Sequence, residues 1–408
     1  MDNNSCYIQN EIKAAKINKT LITWFSLCAT LLGVSSTDIY ISSLPQMVSD
    51  FATTPAMINM TISFYTLAMA LGGLYIGILS NRFGRRPTLL WGIALYIISS
   101  FSIAHTSSII LMIAMRVLQG TACSAIAVIT RVIFKDIMNA KEQIHANGIQ
   151  VMGIVISPAI APSIGAFMAA HFGWESCFEL SSFLGVFLLI GGWFIIKETN
   201  STPINKLESP LTYISTYLNI FKNAACRRSL LIISFSFATY FVFIGISSYL
   251  YIDKFGISPL NYSYIFILIA IGYFVGNSVM MYLNKNQYAT DKIITNGLTI
   301  SLIGLSLIIA TYFIPEKLTV ILLLTLGVLI MRGGSALIIA PTQVKLLEEA
   351  GQDGALAVGL AQFMQFTLSS IAASIVVLFH SLPLVGMIVM SVITFIPVIL
   401  TNKSSRLN

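Results

Sequence analysis

Charge is what this chain has least of. Asp, Glu, Lys and Arg make up 10% of its 408 residues, against about a quarter in a soluble domain. With 56% apolar residues, such a chain cannot cover a water-facing surface, so its main solvent is lipid. Cysteine is sparse and odd in number. Cys6, Cys28, Cys123, Cys177 and Cys226 are scattered, mostly inside or beside apolar stretches. They read as small buried hydrophobes rather than a disulfide framework or a metal site. His105, His145, His171 and His380 fall at the ends of apolar stretches or in loops, which argues against a buried histidine relay. The net charge of +7 is not gathered on one polar domain, so no nucleic-acid partner is expected. No nucleophile–base pair is visible at membrane depth, so neither an enzyme nor a cofactor is expected.

What is present is a rhythm. A bilayer-crossing helix needs about 20 mostly apolar residues. That rule gives twelve spans, at 20–44, 56–80, 88–104, 107–131, 143–170, 176–196, 229–252, 261–283, 293–313, 318–341, 355–380 and 382–401. The longest polar interruption, 197–228, holds Lys197, Glu198, Lys206, Glu208, Lys222, Arg227 and Arg228. It divides the chain into a tail (1–19), one six-helix bundle (20–196), a central loop (197–228), a second bundle (229–401) and a short tail (402–408). The halves match in hydropathy rhythm rather than in letters, as a parallel repeat does. The expectation is an all-α integral membrane protein of two six-helix bundles. Lys13, Lys16 and Lys19 precede a full-length first span with no small-residue cleavage site after it, which reads as a retained helix.

Basic residues orient the spans. The amino-terminal tail and alternate loops hold Arg82, Arg85, Arg86, Arg131, Lys135, Lys141, Lys285, Lys292 and Lys345 among others, while the opposite loops hold only Lys254 and Lys317. Both termini are therefore expected in the cytoplasm.

Between the second and third spans lies Gly77-Ile78-Leu79-Ser80-Asn81-Arg82-Phe83-Gly84-Arg85-Arg86-Pro87. Three arginines and two glycines here make a poor core and a good cytoplasmic hairpin.

Ionisable groups inside spans are costly, about 2.5–3.5 kcal/mol for a central arginine or lysine on insertion scales, and mark pathways. Asp38 is the only carboxylate deep in an apolar span, roughly 10 Å from the outer end, and Arg116 lies roughly 14 Å from the same face. A facing pair of the two fits these depths. As a functional group Asp38 titrates with substrate occupancy; as a structural one it ties the first and fourth spans together. Arg332, roughly 21 Å from the outer face, is either an anion-binding residue or a lining residue solvated by cavity water. Asn277, Gln119, Gln362 and Gln365 are uncharged polar groups within spans, able to line a cavity or to bond a neighbouring helix. In the fifth span Gly148, Ser157, Pro158, Ala161, Pro162, Gly165 and Ala166 combine close packing with proline kinks.

These residues, in this order, resemble the drug:proton antiporters of the major facilitator superfamily, and within them the Bcr/CflA bicyclomycin and chloramphenicol resistance group. The resemblance rests on Thr37-Asp38-Ile39-Tyr40 with Leu44-Pro45, on Gly77 to Pro87, on Arg116-Val117-Leu118-Gln119-Gly120 and on Ser157 to Pro162. Phe172-Gly173-Trp174, Glu198-Thr199 and Ala340-Pro341 complete it. It implies a proton-coupled exporter working by alternating access in the bacterial inner membrane, with a small molecule, protons and lipid as partners and a monomer as the unit. It also implies proton coupling at Asp38 and Arg116 and an inner gate at Gly77, Asn81, Arg82, Gly84, Arg85 and Arg86; Tyr40, Gln119, Arg332, Gln362 and Gln365 are the candidate substrate-cavity residues. The antiporter motif would be Gly148, Ser157, Pro158, Ala161, Pro162 and Gly165, softened where Ser157 and Ala161 replace the usual glycine.

One position departs from the family. An acid is usual at Asn81, where it would meet the positive end of the eleventh span near Gly354 and cations at Arg131 or Lys135. A weaker inner-gate latch is expected. Two intramembrane arginines against one acid suit an anionic substrate, so an anionic metabolite such as a polycarboxylate siderophore, exported or imported, stands beside drug export. A non-transporting membrane sensor is the remaining alternative.

Overall fold

The computed structural model describes residues 18–200, 210–257, 259–379 and 381–403. Cys6, Lys13, Lys16, Lys206, Glu208, His380 and Arg406 lie outside them, as does the side chain of Pro158. The first half comprises α1 (Lys19–Asp38), a 3-10 turn (Ile41–Ser43), α2 (Leu44–Asp50), α3 (Pro55–Phe83), α4 (Arg85–Ala104), α5 (Ile109–Ile137), α6 (Ala140–Phe172) and α7 (Glu175–Ile195). The second comprises α8 (Pro210–Lys222), α9 (Ala224–Ser248), a π-helical turn (Tyr249–Lys254), α10 (Pro259–Lys285), α11 (Thr290–Ala310), α12 (Lys317–Glu349), α13 (Gly354–Val377) and α14 (Pro383–Lys403). Among the described residues, eleven helices are long and apolar enough to cross a membrane. By that measure α6 adds only its apolar stretch Ile160–Phe172.

Local chemistry sets the helix ends. The side chains of Asn18, Thr54 and Ser108 accept hydrogen bonds from the first turns of α1, α3 and α5. Asn139 and Glu142 form a reciprocal capping box at the start of α6, which satisfies otherwise orphaned donors. Gly84 stops α3 at φ 98°, a conformation that side-chain-bearing residues rarely adopt.

Several boundaries differ from the sequence reading, the tenth span among them, since α12 runs on to Glu349. The first span does not run to residue 44: α1 stops at Asp38 and a separate short turn follows. The fourth span does not end at Arg131, because α5 continues through Val132-Ile133-Phe134 to Ile137. Part of the central interruption is helix, since α8 covers Pro210–Lys222. Its Ile220 is buried against Cys226, Leu346 and Leu356, and the Tyr217 hydroxyl donates to the Leu74 carbonyl.

Helix pairings in the first half recur in the second. The contacts α1 with α6, α3 with α5 and α4 with α5 are matched by α9 with α13, α10 with α12 and α11 with α12. Across the halves, α3 packs on α13 and α6 on α10. A Cβ on Gly73 would strike the Gly359 carbonyl, one on Gly359 the Gly73 carbonyl, and one on Gly77 the Ala355 carbonyl. Asn277 Nδ2 donates to the Gly148 carbonyl at 2.9 Å and Asn284 Nδ2 to the Lys141 carbonyl at 2.7 Å. These contacts close the molecule at the end that carries the basic loops. Toward the opposite end the apolar packing separates by half. Ile39, Tyr40, Met47, Ile58 and Phe178 cluster within the first, and Tyr251, Phe255, Ile265 and Val320 within the second.

Candidate functional site

Asp38 ends α1 and is partly buried. Ser157 Oγ, from the middle of α6, donates to its Oδ2 at 2.6 Å. The fifth-span small-residue motif thus holds the one intramembrane acid, a partnership hidden by 119 positions of sequence separation. The same motif sets the helix spacing. A Cβ on Gly165 would fall on the Ile39 carbonyl, Ala161 is buried in the first-half cluster, and a Cβ on Gly148 would meet Met280 and Met281 of α10. α6 runs through positions 158 and 162 without interruption.

The Asp38–Arg116 pair is not formed. No ion pair among the described residues includes either. Arg116 is fully buried and donates to the Ser36 carbonyl (3.0 Å), the Thr61 carbonyl (3.4 Å), Gln119 Oε1 (2.5 Å) and the Tyr40 hydroxyl (3.2 Å). Its guanidinium also lies over the Tyr65 and Tyr40 rings, at 4.3 and 4.8 Å. Neutral acceptors and aromatic faces replace the carboxylate, because the fork can reach five donors' worth of partners without one.

That hub moves two expected cavity residues into the core. Tyr40 and Gln119 are fully buried, with Tyr40 also bonded to Thr61 (2.9 Å) and Gln119 Nε2 donating to Ser100 (2.7 Å). Gln362 is likewise committed, its Nε2 reaching the Met69 carbonyl and Ser124 Oγ, each at 2.8 Å. It joins the halves rather than lining space. Gln365 is buried on the same helix, α13.

Arg332 does border a cavity. It lies mid-way along α12, with its guanidinium 3.6 Å from the Tyr240 ring centre and 4.4 Å from that of Tyr273. Arg332, Tyr240 and Tyr273 thus converge from three helices, α12, α9 and α10. Arg131, a loop cation by its sequence position, is instead 8% exposed, and its Nε has no hydrogen-bond partner. The legible sign was the apolar run that follows it.

At the basic end the Gly77–Pro87 loop forms one network. Arg85 Nη1 donates to Ser80 Oγ (2.9 Å) and Asn81 Oδ1 (2.6 Å), and its Nε to Asp136 (3.3 Å). Arg86 Nη2 donates to the Trp193 carbonyl and covers that indole, while Arg82 lies over Phe83. Glu198 accepts the backbone N–H groups of Arg85 (2.8 Å) and Arg86 (3.1 Å), capping α4. Its carboxylate also fills the space a Cβ on Gly84 would need. Among the described residues Asn81 makes no hydrogen bond to α13: its side chain accepts from Arg85, and its own carbonyl accepts from Asn200. The link to the start of α13 comes instead from Lys135 Nζ, which donates to the Gly351 carbonyl.

The sequence pattern described as Major Facilitator Superfamily matches residues 26–374. The chain belongs to this superfamily. It is a transporter, not an enzyme, and a multi-pass membrane protein. It is 30% identical over 260 residues to the chloramphenicol resistance protein of Pseudomonas aeruginosa, covering 60% of each chain. It is 25% identical over 232 residues to the bicyclomycin resistance protein homolog of Haemophilus influenzae, covering 57% of this chain and 58% of that one. The matched stretches thus span about three fifths of these two proteins. In fold it resembles the crystal structure of the human organic anion transporter MFSD10, with a TM-score of 0.71 at 13% identity over 93% of this chain and 99% of that one.

Proposed function

We propose that this transporter is a proton-coupled exporter of small organic molecules, drugs included, working by alternating access through twelve spans with both termini in the cytoplasm. The named relatives support drug export, and the basic-residue bias supports the orientation. On that reading the closed basic end is the cytoplasmic one and the conformation faces outward.

The observation that carries the coupling is Asp38 with Ser157. An ionised carboxylate accepts the hydroxyl proton, and a proton or a substrate cation arriving at Asp38 competes for the same oxygens. Ser157 sits on α6, which touches α1 through Gly165 and α10 through Gly148. Occupancy of one carboxylate therefore acts on a helix that spans both halves.

In everted vesicles with an acid interior, chloramphenicol should dissipate the proton gradient, and Asp38→Asn should abolish that response. A gradient that stays intact across neutral, cationic and anionic compounds would return the chain to the sensor reading. Ser157→Ala should slow transport about ten- to a hundredfold, since a hydrogen bond to a charged group contributes about 1.5–3 kcal/mol.

A further inference from the structure

Arg332 carries an unsatisfied charge in a place built to hold something. It is 8% exposed, and its Nη1 has no hydrogen-bond partner. The nearest acids along the chain are Glu316 and Glu348, each 16 residues away, about 24 Å along a helix. No ion pair among the described residues includes Arg332. Two tyrosine faces hold the guanidinium flat, and they orient its edge rather than neutralise it.

Beside it is a cavity of about 20 Å³, lined by Arg332, Ser236, Thr239, Tyr240, Ser301 and Ser335 with apolar side chains around them. Ser236 Oγ is a second buried polar atom there without a partner. The Ser301 and Ser335 hydroxyls are turned to backbone carbonyls of α12. The space admits one water-sized atom. What the lining offers is two unpartnered donors, one of them cationic, and no carboxylate among the lining residues.

We propose that Arg332 and Ser236 form an anion site that takes a halide-sized ion or the oxygen of a carboxylate. Its occupant is either an inorganic anion such as chloride or the acidic group of the transported molecule. The second source rests on the transport reading above; anion binding itself does not. A neutral water would fill the volume but leave the buried guanidinium without a counter-charge.

The test uses the purified full chain in detergent, with isethionate as the background anion at constant ionic strength. Chloride, bromide and benzoate are titrated in turn and the melting temperature is read, because a ligand that binds the folded state raises it. A rise with chloride and bromide alone supports the inorganic source. A rise with benzoate that weakens in the presence of a transported compound supports the substrate source. In Arg332→Gln the apparent affinity should fall about tenfold or more, and in Ser236→Ala several-fold, as loss of a charged and of a neutral donor requires. If Arg332→Gln does not fold, Ser236→Ala and Arg332→Lys carry the test, and both should weaken the response. No rise with any of the three anions overturns the site, as does an unchanged rise in the variants. Because no transport is measured, failure here leaves the exporter reading standing, and failure of proton coupling leaves the anion site standing.

Discussion

Arg116 and Asp38 lie close in depth yet behave as different kinds of residue. Arg116 spends its donors on α1, α3 and its own helix, so its work is to brace the first half. A lysine there keeps the charge but cannot span four acceptors from one planar fork. Arg116→Lys should therefore destabilise the protein by about 2 kcal/mol or more, since each buried group left unpaired costs about 1–3 kcal/mol. Asp38→Asn keeps a group that accepts from Ser157, so its melting temperature should stay near that of the parent while transport is lost. Thermal unfolding of the two purified variants separates the roles. If Asp38→Asn is the one that melts early, Asp38 is the structural residue. Glu198 is a third case. It satisfies the Arg85 and Arg86 amides, and Glu198→Ala should cost about 1–2 kcal/mol as the loss of a helix cap does, read in the same melting experiment.

At the scale of elements, closure depends on how near two helix backbones can come. α3 and α13 meet at Gly73 and Gly359, where neither tolerates a Cβ without displacing the other's carbonyl. Gly73→Ala should hold the basic end apart, and a cysteine introduced at Ala355 should then label faster from that side. Lys135→Ala should do the same to a smaller degree, because it removes the side chain that reaches the Gly351 carbonyl. Asn81→Asp should change labelling little. Its neighbour Arg85 already has Asp136 as a partner, and Asn81 makes no contact with α13 among its hydrogen bonds. The weak latch expected from the missing acid thus gives way to a different tie, made by the fourth-span lysine.

Over the whole molecule, a repeated set of helix pairings meets across one sealed end. If that end is cytoplasmic, a membrane-impermeant thiol reagent applied to intact cells should label Tyr312→Cys and spare Tyr288→Cys in a cysteine-free background. The reverse pattern would invert the topology. On the proposed reading, a closed cytoplasmic end would leave Asp38 to take its proton from the opposite side, which is the direction that proton-driven export requires.

Membrane character, the rhythm of spans, the basic bias and the family resemblance were all legible in the order of residues, because each depends on composition over a window of about twenty residues or on contiguous motifs. Asp38 stood out for the same reason: a lone acid in an apolar run needs no partner to be noticed. Which side chains meet was not legible. Ser157 reaches Asp38, Arg116 finds neutral acceptors, Tyr40 and Gln119 vanish into the core, and Arg131 is buried rather than looped. Depth along a helix follows from counting at 1.5 Å per residue, but the direction a side chain takes depends on how helices rotate and pack about one another. Small residues such as Gly73 and Gly165, against backbone carbonyls, and Gly148, against side chains of α10, set that packing here and link positions more than a hundred residues apart. The sequence by itself determined the solvent, the segments and the acid. Only the tertiary structure decided its partner, the tie between Lys135 and Gly351 and the unpaired arginine beside a cavity.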